Sequence, residues 1–179
     1  MRKIPTLFER NFETWLAYDK VTKGCDWVTK GEGVATRKYD GTACLVKNGI
    51  LFKRYDCKKD RPLPKFGSPC QSEPDPETGH WPWWIPLSKY DKWHMAAFVG
   101  DEPNGTYELC GPKINGNPEG FGVHNLVCHD SEECVDCPRA FEAIKEYLKD
   151  KDIEGIVWHR ENGDMCKIKK KDFGMKRRN

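Results

Sequence analysis

An α+β fold built on antiparallel sheets is what this chain of 179 residues predicts, and three observations carry the prediction. Two Asn-Gly dipeptides, Asn48-Gly49 and Asn162-Gly163, each sit between apolar segments, a strong short-range signal for a β-hairpin. One segment, residues 138–149, holds a helical period, with Ala140, Phe141, Ile144, Tyr147 and Leu148 as its apolar positions. The length suits one sizeable core and is short for two, so a single domain spanning residues 1–179 is expected.

In chain order, the opening Met1-Arg2-Lys3-Ile4-Pro5 lacks a signal-peptide core. No apolar run approaches the ~20 residues needed to cross a bilayer. The expectation is a cytoplasmic protein, the nucleus remaining open, with no membrane association and no indicated protein partner. Residues 42–47 and 50–55 form the first hairpin around Asn48-Gly49. Lys38 lies immediately before it, which predicts that Lys38 and Arg54 occupy adjoining strands. Residues 60–93 are rich in Pro, Gly and aromatic residues, with Trp81, Trp83 and Trp84 close together, and read as a long ordered insertion. This aromatic run offers a nucleobase-stacking surface, with core packing or a lid as the plainer reading. Residues 153–159 and 165–169, joined through Asn162-Gly163, make a second hairpin with Glu154 at one end and Lys167 and Lys169 at the other. Period-two spacing puts those two lysines on one face of the strand. Residues 170–179 read as a basic tail.

The net charge of +2 hides a polarised distribution. From Lys167 onward there are seven Lys or Arg against one Asp, so the preceding residues sum to −4. A second basic cluster includes Lys53, Arg54, Lys58, Lys59, Arg61 and Lys65. Such clusters bind polyanions through phosphate contacts without reading bases. The plainer alternative for Lys176, Arg177 and Arg178 is a solvated tail. Nine cysteines without a repeated spacing argue against a disulfide framework and make reduced thiols the default. Cys128 and His129 with Cys134 and Cys137 supply four soft donors, but one CxxC without a matched pair is weak support for zinc.

The chemistry-bearing motif is Arg37-Lys38-Tyr39-Asp40-Gly41-Thr42, a lysine two residues before an Asp-Gly turn and just ahead of an apolar run. To attack phosphorus a lysine must be neutral, which costs several kcal/mol at neutral pH unless cations or a metal lie nearby. Downstream come Arg54 in Leu51-Phe52-Lys53-Arg54-Tyr55-Asp56, Glu108 in Thr106-Tyr107-Glu108-Leu109-Cys110-Gly111, Glu154 in Glu154-Gly155-Ile156-Val157-Trp158, and the Lys167/Lys169 pair. This succession resembles the collinear motifs of the covalent nucleotidyltransferases, which include ATP-dependent DNA and RNA ligases and mRNA capping enzymes. Thr78-Gly79-His80-Trp81-Pro82, the run from Gly111 to Pro118, and Glu154 to His159 are more specifically similar to small 5′-to-3′ RNA ligases related to vertebrate RNA ligase 1.

The resemblance implies a nucleotidyltransferase domain, ATP with Mg²⁺ or Mn²⁺ as cofactors, and RNA with 5′-phosphate and 3′-hydroxyl ends as the partner; in departure from the larger family, the expectation is no OB-fold domain, because the sequence stops soon after the lysine pair. It implies Lys38 as the nucleophile, Lys167 and Lys169 as stabilisers of the transferring phosphate, and Glu154 as the leading metal ligand. Asp40 would position the lysine and bind metal or ribose, Glu108 would contact ribose or a metal-bound water, and Arg54 would engage ribose or the incoming 5′-phosphate. Phe121, in Gly120-Phe121-Gly122, is a candidate to stack on adenine, with a core role as its alternative. Where many relatives carry a glutamate before the nucleophile, this chain has Thr36-Arg37. A DNA ligase or guanylyltransferase, and a non-catalytic nucleic-acid-binding module, are the competing readings.

Overall fold

The structure, a computed structural model, describes residues 1–131 and 133–177. In chain order its elements are β1 (Phe8–Arg10), β2 (Ala17–Val21), α1 (Asp26–Thr29), β3 (Val34–Lys38), β4 (Thr42–Lys47), β5 (Ile50–Cys57), β6 (Ser68–Pro69) and β7 (Trp81–Pro86). There follow α2 (Lys92–Ala97), β8 (Gly105–Cys110), β9 (Asn125–Cys128), α3 (Phe141–Lys149), β10 (Gly155–His159) and β11 (Met165–Lys169). The strand ladders are antiparallel, in sheets ordered β1-β2, β11-β10-β3 and β6-β7-β5-β4-β8-β9. The chain divides into two compact units, Met1–Lys3 with Asp40–Ser131, and Ile4–Tyr39 with Glu132–Asn179.

The unit containing Asp40 holds the six-stranded sheet. Its β4–β5 hairpin turns at Asn48 and Gly49, both with positive φ (53° and 71°), as a two-residue turn between right-twisted strands requires. Alternation along the strands buries Cys44, Val46, Leu51, Tyr107 and Leu109 on one face, where Ala97 and Ile114 join them. The expected insertion is in part sheet: residues 81–86 form β7, which pairs with β5 from Phe52↔Pro86 to Cys57↔Trp81. Pro82 and Pro86 tolerate this place because the two-residue β6 pairs only with Trp83 and Trp84 between them. Within the tryptophan run, Trp84 is buried, Trp81 donates its indole N–H to the Gln71 carbonyl, and Trp81 meets Trp83 edge-on. These contacts are packing of the sheet.

The other unit packs α3 against the β11-β10-β3 sheet and the short β1-β2 hairpin. Its core contains Leu7, Phe8, Trp27, Val28, Ile144, Leu148, Ile156, Trp158 and Ile168. Helix α3 begins at Phe141, three residues later than its apolar pattern suggests, with Ala140 in an extended conformation as its N-cap. Cys25 and Cys166 are joined in a disulfide with Cα atoms 6.1 Å apart, which corrects the expectation of wholly reduced thiols. Their separation of 141 residues is invisible to a reading based on local spacing.

Residues 170–173, expected to open a basic tail, form a 3₁₀ turn in which Lys170 and Asp172 are buried. Lys170 donates to the Lys149 carbonyl at the end of α3, and Arg177 forms an ion pair with Asp152 at 3.0 Å. Arg178 and Asn179, also assigned to that tail, lie outside the described residues. No helix among the described residues is long and apolar enough to cross a membrane.

Candidate active site

Lys38 ends β3, and β3 pairs with β10 rather than with the β4–β5 hairpin that follows it in sequence. This corrects the expectation that Lys38 and Arg54 sit on adjoining strands. The β10 register sets Gly155 opposite Lys38 on one side and opposite Lys169 on the other, so all three positions share a sheet face. Gly155 has to be glycine. A Cβ there would fall 2.1 Å from the Ile168 carbonyl oxygen and 2.8 Å from the Lys169 Cα.

Glu154, one residue before β10, accepts hydrogen bonds from both lysines. Lys38 Nζ donates to its Oε2 at 2.6 Å, and Lys169 Nζ donates to its Oε1. The backbone holds the same corner, because Lys170 N–H donates to the Glu154 carbonyl and Lys169 N–H to the Asp172 carboxylate. Lys167 lies two residues earlier on β11, on the same face as Lys169 and opposite Val157. Burial of Cys166 and Ile168 in the core directs the alternate residues Lys167 and Lys169 away from it.

Burial of the Glu154 carboxyl favours its neutral form, but the nearby charges of Lys38 and then Lys169 outweigh it, and its pKa lies below the usual carboxylate range. The corresponding stability is fully present above the unfolded pKa of about 4.3 and is lost as pH falls through the lower folded value. Thermal melts of the wild type and Glu154→Gln should therefore differ by a constant margin at neutral pH. That margin should close as pH drops below about 4. A margin unchanged down to pH 3 would contradict the depressed pKa.

The remaining expected site residues lie on the six-stranded unit. Asp40 N–H donates to Glu119 at 2.8 Å, while Asn115 donates through Nδ2 to both the Asp40 carboxylate and the Gly41 carbonyl at 2.9 Å. Gly41 lies so close to β8 that a Cβ would fall 2.2 Å from the Leu109 carbonyl oxygen and 2.9 Å from Glu108 Cγ. Thus the Asp-Gly turn and Glu108 adjoin. Glu108 is buried and opposite Ala43, and the alternation and β4–β5 register bring Arg54 onto that same sheet face, two strand spacings or about 10 Å away. Arg54 donates to Asp56 at 3.0 Å and to the Met1 carbonyl at 3.1 Å. Phe121 is half-buried in a loop outside both core clusters, its carbonyl accepting from Asn117.

Sequence reasoning missed three positioning residues here: Asn115, Glu119 and His129. His129 Nε2 lies 3.2 Å from Glu108 and its Nδ1 2.9 Å from the Thr106 hydroxyl. With Glu108 ionised, Nε2–H donates to it and, in the neutral ring, Nδ1 accepts the hydroxyl proton. Tyr107 pairs with Cys128, so continuing the β8–β9 register one step places residue 129 opposite Thr106. That signal becomes readable only once the pairing is known.

His129, one of the four soft donors considered for zinc, is engaged with Glu108 and Thr106. Among the described residues, no group of three or more His, Cys, Asp or Glu side chains is placed to hold a metal. Glu154 still fits Mg²⁺ or Mn²⁺ chemically, since Mg²⁺ binds through one or two carboxylates together with waters and substrate phosphate oxygens.

Residues 99–178 match the family model of RNA ligase 1, a span that includes Glu108, Phe121, Glu154, Lys167 and Lys169. RNA ligase 1 of Rattus norvegicus is 26% identical over 223 residues, covering 79% of this chain and 67% of that protein. This chain is similar to vertebrate RNA ligase 1. RNA ligase 1 of Mus musculus shows the same identity and coverage over 219 residues. RNA ligase 1 of Danio rerio is 29% identical over 138 residues, which cover 56% of this chain and 42% of the relative. Lys38, Asp40 and Arg54 fall outside the part matched by the RNA ligase 1 family model.

Proposed function

We propose that this protein is an ATP-dependent RNA ligase of the nucleotidyltransferase fold, acting in RNA repair or end-sealing, with Lys38 as its covalent nucleophile. The observation that carries the reading is the convergence of Lys38 and Lys169 on the Glu154 carboxylate, at a corner where Gly155 excludes any side chain. In the free protein, this ion pair favours the charged ammonium form of Lys38. When bound at Glu154, Mg²⁺ or Mn²⁺ would neutralise phosphate charge and draw the carboxylate's charge away from Lys38.

Neutral Lys38 Nζ then attacks the α-phosphorus of ATP. A nitrogen–phosphorus bond forms, the bond to pyrophosphate breaks, and the amine loses its proton to solvent, leaving lysyl-AMP. Lys169, with Lys167 on the same strand face, offsets negative charge on the transferring phosphate. An RNA 5′-phosphate oxygen next attacks that phosphorus, restoring Lys38 and producing an AMP-capped 5′ end. Attack by a 3′-hydroxyl oxygen joins the strands and releases AMP. For Asp40 the proposed contacts are metal or ribose, for Glu108 ribose or a metal-bound water, for Arg54 ribose or the RNA 5′-phosphate, and for Phe121 adenine.

Sealing assays at fixed ionic strength on matched all-RNA, all-DNA and ribonucleotide-ended DNA substrates test the acceptor. RNA ends should join fastest, with 2′-hydroxyl contacts beside the attacking 3′-hydroxyl as the physical source of the preference. Equal or faster joining of all-DNA ends would overturn the RNA-ligase reading in favour of a DNA ligase. Labelling by GTP in preference to ATP would instead identify a guanylyltransferase, and no labelling by either would identify a non-catalytic module.

A further inference from the structure

A stacked aromatic pair lies on the six-stranded unit, away from the sheet core. Trp93, in α2, lies parallel to the His124 imidazole, with ring centroids 4.8 Å apart and planes 12° from each other. The other aromatic pairs among the described residues meet edge-on. A parallel pair occupies one ring face and leaves the opposite face suited to another planar ring. Trp93 remains 42% exposed, a large apolar area for solvent to cover.

Both members are held in place. Asp91, the N-cap residue of α2, accepts from Lys53 Nζ at 2.5 Å and from Ser88 N–H at 2.7 Å, which fixes the turn leading to Trp93. His124 Nε2 accepts the Lys113 N–H at 3.4 Å. A Cβ on Gly111 would come within 2.7 Å of the His124 Cα, so the chain needs glycine for that approach. Lys92 adjoins Trp93 in sequence, and both Lys92 and Lys113 are exposed. Among the described residues, no carboxylate is paired with either ammonium group. Fixed aromatic surface beside uncompensated lysines matches the bases and phosphates of a single strand, whereas an apolar protein partner would leave the lysines without a counterpart.

We propose that Trp93 and His124 form a nucleobase platform for single-stranded RNA, with Lys92 and Lys113 contacting neighbouring phosphates. The inference rests on the RNA-ligase reading and gives its strand a place to bind. One loop links the platform to the Asp-Gly turn, because Lys113 bonds His124 through its backbone and Asn115, two residues later, holds Asp40.

The test is fluorescence anisotropy with a 5′-phosphorylated single-stranded RNA labelled at its 3′ end, beside an abasic ribose-phosphate strand of equal length. The proteins compared are wild type, Trp93→Ala and Trp93→Phe, with lysyl-AMP formation measured in parallel. Trp93→Ala should weaken binding of the intact RNA by on the order of ten-fold, as expected for loss of one stacking contact. Trp93→Phe should restore most of that affinity, binding of the abasic strand should be unchanged, and adduct formation should persist. Equal affinity of wild type and Trp93→Ala for intact RNA would refute the platform while leaving the RNA-ligase reading intact. Equal losses on intact and abasic strands, or loss of adduct formation without loss of RNA affinity, would also refute it. Failure of the wild type to bind or seal RNA would overturn both the platform and the reading beneath it.

Discussion

Lys38→Ala is expected to abolish transfer of AMP from ATP to the protein, and Lys38→Arg is expected to do the same. The pair separates chemistry from architecture. Alanine removes both the nucleophile and the ion pair with Glu154, whereas arginine keeps a cation beside the carboxylate but is never neutral at working pH. An arginine variant that melts like the wild type yet forms no adduct would assign the loss to the missing nucleophile. Adduct formation by either variant would remove Lys38 from its proposed role.

Lys169→Ala should slow lysyl-AMP formation by on the order of 10²- to 10³-fold, the range expected on losing a donor aimed at developing charge. The expected effect of Lys167→Ala is smaller. Lys169 reaches Glu154 at the corner occupied by Lys38, while Lys167 sits two residues away, about 7 Å along the strand. Single-turnover rates with labelled ATP would rank the two. A wild-type rate in Lys169→Ala would refute phosphate stabilisation by that residue, and a larger loss in Lys167→Ala would reverse the assignment between them.

The two Asn-Gly hairpins were legible because turn chemistry and alternation act over a few residues; that the second sets Gly155 opposite Lys169, and so brings Glu154 to Lys169, was seen only in its register. The motif singles out Lys38 as a candidate but does not show its neighbours. Its strand leaves the hairpin that follows and pairs with β10, more than a hundred residues downstream, which no local period reveals. The same limit hid the Cys25–Cys166 bond and the hold of His129 on Glu108, both made between residues far apart in the chain. Strand β7 was obscured for a different reason. Its two prolines argue against a strand in isolation, and only the shortness of β6 makes room for them. Charge counting also overstated the basic tail, because Lys170 is buried against the end of α3 and Arg177 is paired with Asp152.

Mapping the covalent adduct tests the central claim most directly. After incubation with ATP and Mg²⁺, intact-mass analysis should show addition of one AMP, and peptide sequencing should place it on the Lys38 side-chain nitrogen. Addition of RNA bearing a 5′-phosphate should then discharge it. An AMP on another residue, or none under conditions where the protein seals RNA, would contradict catalysis through Lys38.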